Sequence, residues 1–338
     1  MLTWPHDRGD WGARLPEVEP VFLRIAQAVS QRQPLLIGCR SEALRPVIRR
    51  KLLDAGAVVD NVRFAVCASN DVWARDHGPI TVERDGAPCL LDFRFNGWGM
   101  KYAHALDDAV PRTLAASGCF GAAPLAAVPF VLEGGSIDSD GEGTLLTTSS
   151  CLLHPTRNPE LTRADLERKL GEWFGVDRVL WLDDGELLGD DTDGHIDMLA
   201  RFAGNDTLLY QSCSEETYPA KASLDRMVES LRGFRTRDGK PYALRALPWP
   251  SAKYSAAGER LPASYANFLV INQAVLVPVY GDAADDPACA IIGEAFPGRT
   301  VVPINCLPLI VQHGSLHCVT MQFPAGVTLS AAPIPGAD

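Results

Sequence analysis

A mixed α/β fold is what the 338-residue sequence predicts, and three observations predict it. Stretches with a helical apolar face alternate with short apolar runs from one end of the chain to the other. No long linker or low-complexity segment divides the chain; Pro248, Pro250 and Pro262 mark one extended loop. Unusual polar clusters recur roughly every 60 residues, as a repeated unit of strands and a helix would produce. A single domain over residues 1–338 is therefore expected.

The first helix is expected over 17–31, where Val21, Ile25, Ala28 and Val29 share a face. Ser41 is a candidate N-cap for a second helix ending near Gly56. A third runs from 162 to 174 and stops at Gly175. Residues 216–231 and 285–296 also read as helices. Strands are expected at 35–37, 62–66, 90–95, 144–147, 179–182, 268–271 and 275–279. Gly204-Asn205-Asp206 and Asn272-Gln273 read as hairpin turns.

Composition narrows the function. A net charge of -11 disfavours nucleic acid as a partner and suits a small cation. No apolar run approaches the length of about 20 residues that a membrane span needs. Residues 1–10 have no apolar centre, so no secretory signal is expected. Nine cysteines without a CxxC pair argue against a zinc knuckle. Free cysteines in apolar runs, such as Cys39 and Cys67, suit a reducing, cytoplasmic location.

The polar clusters are NDVWARDHGP (70–79), EGGSIDSDGEG (133–143), DDTDGHID (190–197), PASYANF (262–268) and GSLHC (314–318). Each is expected at a strand end or in the loop that follows, where catalytic groups concentrate. Cys318 lies in LHCVTMQF, which reads as a strand; it is either a core cysteine or a nucleophile. A thiol with an ordinary pKa of about 8.5 needs a cationic neighbour or substrate to become a thiolate. In DDTDGHID, a strand would put His195 and Asp197 on one face as an acid/base pair. A solvated acidic turn through Asp183, Asp184, Asp190 and Asp191 and a His/carboxylate metal site are the alternatives. In 70–79, the carboxylates can pair with a planar cation and Trp73 can present a flat face to it. An ion pair between Arg75 and a carboxylate is the bland alternative. Glu133-Gly134-Gly135 fits neither a P-loop nor a dinucleotide fingerprint.

Together these segments resemble the agmatine deiminase and bacterial peptidylarginine deiminase family. The resemblance rests on TWPH around Trp4, NDVWARDHGP, FNGWG (95–99), VLEGGSIDSDGEGTLLTT (131–148), DTDGHIDMLARF (191–202), LPASYANFLVIN (261–272), VYGD (279–282) and GSLHCVTMQ (314–322). It spans nearly the whole chain, in order. It implies a five-bladed, pseudo-symmetric α/β propeller of ββαβ-type modules. It further implies Cys318 as nucleophile, His195 as catalytic histidine, and Asp76 and Asp197 as guanidinium-binding carboxylates. Trp73 would line the substrate, with Asn70, Asp71 and Glu133 in matching motifs. Agmatine would be the substrate, with peptidyl-arginine or another guanidine as the alternative; no cofactor or metal is implied, and a homodimer is. The departures are the short start, His77 in place of a small polar residue, and His313-Gly314-Ser315-Leu316 in the last loop. They bear on recognition of the far end of the substrate. A metal-dependent hydrolase releasing urea and a non-catalytic binder of cations are the competing classes.

Overall fold

The computed structural model describes residues 1–331, so the last seven positions of the expected 1–338 domain lie outside the described residues. The chain forms two compact units. One comprises Met1–Gly134, Ile271–Gln273 and the segment from Cys318; the other comprises Gly135–Val270 and Ala274–His317.

The first unit holds two three-stranded sheets. In the first, Leu35–Cys39 lies between Leu2–Thr3 and Val62–Val66, and both pairings are parallel. Parallel neighbours need crossovers, here the helices Leu15–Ser30 and Leu44–Asp54. Leu35–Cys39 is buried at every position, as a central parallel strand covered on both faces should be. The first helix buries Val18, Val21, Phe22, Ile25 and Val29, the face its spacing marks. The second begins later than expected: Ser41 accepts from Leu44 N–H through its carbonyl, and its side chain makes no cap. In the second sheet, Ile80–Arg84 pairs antiparallel with Ala87–Arg94, which pairs parallel with Leu125–Val131. Asp85 and Gly86 close that hairpin with φ of 51° and 76°, the doubly left-handed turn that Asp-Gly favours. A shared core joins Leu36, Ala65, Ala74, Leu90, Phe120 and Met321. It roots residues 70–79 and the chain after Cys318 in the same apolar cluster.

The second unit holds three more such sheets. Ile137–Ser139 and Thr144–Thr148 are antiparallel, with Arg178–Leu182 parallel to the latter. Ala200–Phe202, Thr207–Gln211 and Ala243–Leu247 repeat that pattern. Leu269–Ile271 neighbours Ala274–Val279, which is parallel to Thr300–Asn305. The crossovers are the helices Arg163–Phe174, Lys221–Gly233 and Asp285–Ala295. Thr162 and Asp165 cap the first of these reciprocally, and Gly175 ends it at φ 66°. The next starts at Lys221, not 216, so residues 216–220 are a turn. Arg201 stitches the sheets together. Its Nε donates to Asp138 Oδ1 at 2.9 Å, its guanidinium donates to Phe268 O at 3.1 Å, and it stacks on the Phe268 ring.

Four of the five three-stranded sheets among the described residues thus run strand, strand, helix, strand. The polar clusters at 70–79, 133–143, 190–197 and 262–268 each carry the chain out of one sheet and towards the first strand of the next.

Candidate functional site

In the first unit, residues 74–77 form one helical turn, Ala74–His77, between two sheets. Val72 N–H donates to Asp71 Oδ1 at 2.8 Å. Asp71 also accepts from Trp11 Nε1 at 2.9 Å and, through Oδ2, from Trp73 Nε1 at 3.0 Å. Burial pushes the Asp71 carboxyl up to about 6 despite these donors. Asn70 Oδ1 accepts from Leu106 N–H, and Asp107 Oδ1 accepts from the N–H groups of Asn70 and Asp71 at 2.7 and 3.2 Å. Asp71 therefore holds Trp73, and Asn70 ties the preceding backbone to Leu106. Asp76 is 4% exposed, and its Oδ2 accepts from Trp98 Nε1 at 3.0 Å. Arg75 donates from its guanidinium to Gln322 Oε1 and Met321 Sδ.

Cys318 belongs to this unit. Its segment is a turn, not the strand that LHCVTMQF suggests; among the described residues, its ladder contact is the bridge of Thr320 to Leu2. The Cys318 carbonyl accepts from Arg75 N–H at 3.1 Å, one residue before Asp76. Glu133 is fully buried at the end of this unit. Gly134 follows because a Cβ there would lie 2.2 Å from the Arg75 carbonyl oxygen. Five other thiols are held further from the thiolate form by burial. Burial pushes Cys39, Cys119 and Cys289 up to about 11, and Cys67 and Cys306 up to about 12.

In the second unit, Asp193-Gly194-His195-Ile196-Asp197 is not a strand, so the period-two argument for His195 and Asp197 fails. Asp193 and Gly194 have φ of 69° and 93°, and His195 N-caps a short 3₁₀ turn, Ile196–Met198. Both His195 and Asp197 are buried all the same. The acidic loop before them is not simply solvated. Asp190 accepts from Thr192 N–H and Gly194 N–H, and Asp193 pairs with the buried Arg157 at 2.7 Å. Thr148 Oγ1 donates to the Gly194 carbonyl at 2.6 Å. These contacts spend carboxylates on holding the backbone that presents His195.

Asp197 Oδ2 shares a hydrogen bond of 2.8 Å with His317 Nδ1. Asn267 braces the pair: its Nδ2 donates to Asp197 O and its Oδ1 accepts from His317 N–H at 2.8 Å. Sequence reasoning does not single out His317 and Asn267 as partners of Asp197. The signal available was their place in two of the five polar clusters.

The first unit offers a buried carboxylate, Asp76, and a cysteine, Cys318; the second offers a buried imidazole, His195, and a buried carboxylate, Asp197. The model of the Porphyromonas-type peptidyl-arginine deiminase family matches residues 1–324. A Shewanella sp. (strain W3-18-1) protein, provisionally named agmatine deiminase, is 32% identical across 96% of this chain and 91% of its own. A solved structure from Porphyromonas gingivalis, provisionally named an arginine deiminase, is 47% identical with a TM-score of 0.90, covering 96% of this chain and 95% of that one. A C. jejuni agmatine deiminase, solved with substrate bound as a cysteine-to-serine variant, is 36% identical with a TM-score of 0.87, covering 94% and 91%. The chain belongs to the Porphyromonas-type peptidyl-arginine deiminase family. That makes it an enzyme of the guanidine-modifying type.

Proposed function

We propose that this chain hydrolyses agmatine to N-carbamoylputrescine and ammonia through a covalent cysteine intermediate. The observation that carries the reading is the tie between Arg75 N–H and the Cys318 carbonyl. It sets the cysteine segment beside the helical turn that bears Asp76, so an anion for the guanidinium and a thiol for its carbon share one scaffold. The C. jejuni relative supports it, since a cysteine-to-serine change there accompanies bound substrate.

In this reading Asp76 and Asp197 hold the guanidinium, Trp73 packs against it, and Glu133 lines the substrate; Asp71 serves by holding Trp73, and Asn70 by fixing the adjoining loop through Leu106. The bound cation favours the Cys318 thiolate. The thiolate attacks the central carbon, and the C=N electrons move onto nitrogen. His195 gives a proton to the departing nitrogen, the C–N bond breaks and ammonia leaves. The thiouronium that remains is still cationic. Neutral His195 then takes a proton from water as the oxygen attacks; the C–S bond breaks, the adduct's hydroxyl proton passes to solvent, and the ureido product and the thiolate are released. The two units act as one catalytic domain, with the five sheets as the blades of the propeller. We place the enzyme in the cytoplasm, as a homodimer. No helix among the described residues is long and apolar enough to cross a membrane.

The test is release of ammonia and ureido product, without added metal, from agmatine and from an arginine-containing peptide in parallel. Agmatine turnover is expected, with Cys318→Ala inactive and His195→Ala slowed by about 10²–10⁴-fold. Turnover of the peptide alone would replace the substrate but keep the chemistry. Normal turnover by Cys318→Ala would end the cysteine mechanism.

A further inference from the structure

Residues 97–100 form a single helical turn of unusual sense. Gly97, Trp98, Gly99 and Met100 all have positive φ, at 65°, 54°, 87° and 68°. Glycine reaches this region freely; tryptophan and methionine do not. Such a conformation persists only where its surroundings enforce it, and its usual place is a site whose geometry matters.

The enforcement is visible. Asn96 Oδ1 accepts from Gly99 N–H at 2.8 Å, and Asn96 O accepts from Met100 N–H at 2.8 Å. Phe95 N–H donates to Asp108 Oδ1 at 2.8 Å. A Cβ at Gly97 would meet the Tyr102 carbonyl at 2.5 Å, so the turn is closed against its own exit. The indole of Trp98 is then clamped edge-on between Phe95, at 5.0 Å, and Tyr102, at 5.6 Å. What this achieves is one contact: Trp98 Nε1 reaches Asp76 Oδ2 at 3.0 Å, with Trp98 7% and Asp76 4% exposed.

We propose that Trp98 is the positioning residue for the Asp76 carboxylate, and that the left-handed turn exists to present it. The proposal rests on the reading of Asp76 as a guanidinium anchor. A carboxylate that binds a planar fork of N–H groups must keep its own plane fixed. An indole suits this task because it has a donor and no acceptor, so it orders the carboxylate and cannot compete with it for the cation. Burial keeps water from replacing the contact.

The experiment is a double-mutant cycle on agmatine binding in a Cys318→Ala background, read by calorimetry. If the active chain turns over only the arginine peptide, that peptide is the probe. Trp98→Phe keeps the ring and removes the donor, and is expected to weaken binding about tenfold. Asp76→Asn weakens it further, and Trp98→Phe adds less than twofold on top of Asp76→Asn, because Trp98 acts through Asp76. Unchanged binding in Trp98→Phe, or an effect that persists in full beside Asp76→Asn, overturns the proposal. Asn96→Ala, which removes the cap on Gly99 N–H and leaves the indole, is the second variant should Trp98→Phe not fold. It is expected to give a loss in the same direction that likewise vanishes in the Asp76→Asn background, and a full additive loss overturns the proposal. Absence of ammonia release by the unaltered chain would instead remove the functional reading, and this proposal with it.

Discussion

Asp107 supplies a prediction whose size follows from its surroundings. The side chain is 1% exposed, lies beside the Asp71 carboxylate, and accepts from the backbone N–H groups of Asn70 and Asp71. Burial is the main cause that raises it from 3.8 to about 8, with the Asp71 charge adding to it. A carboxyl raised in the fold stabilises fully below its unfolded value and loses that contribution as pH climbs to the folded one. The window here is therefore about pH 4 to 8. At 1.36 kcal/mol per pH unit of linkage, Asp107 costs the fold roughly 3–4 kcal/mol between pH 5 and pH 8. Asp107→Asn keeps an acceptor oxygen for both N–H groups and removes the titration. Urea unfolding of both proteins at pH 5, 6, 7 and 8, followed by tryptophan fluorescence, measures the difference. The variant should gain on the parent as pH rises, by roughly 3–4 kcal/mol across the range. Two stability curves that stay parallel to within about 1 kcal/mol would refute the assignment of a protonated, buried carboxyl at Asp107.

Two further predictions rest on geometry alone. Gly134→Ala would drive a methyl into the Arg75 carbonyl at 2.2 Å. Because Arg75 N–H holds the Cys318 carbonyl, the shift should lower turnover at least tenfold along with thermal stability, and a fully active Gly134→Ala enzyme would contradict it. Thr162→Ala removes the cap on Asp165 N–H and should cost about 1 kcal/mol with no change in KM, read by denaturation and steady-state kinetics.

The sequence by itself determined whatever depends on neighbours in the chain. Thr162 and Gly175 end their helix as cap chemistry requires, and Asn272-Gln273 turns between two strands with Gln273 at φ 63°. The strands at 35–39, 62–66 and 144–148 were legible from their apolar runs. The family was legible because its motifs are spread along the chain in order, which no single segment could establish. Ile80–Arg84 was overlooked, although Asp85-Gly86 marked its hairpin. Local pattern failed where tertiary hydrogen bonds override it. Residues 193–197 alternate like a strand, yet Asp190, Thr148 and Arg157 bend them into a 3₁₀ turn. Only the tertiary structure decided that Asp197 meets His317, 120 residues away, that Asp71 serves two indoles, and that Trp98 reaches Asp76. A buried polar group must find a partner, but nothing in the local sequence says which distant segment brings it.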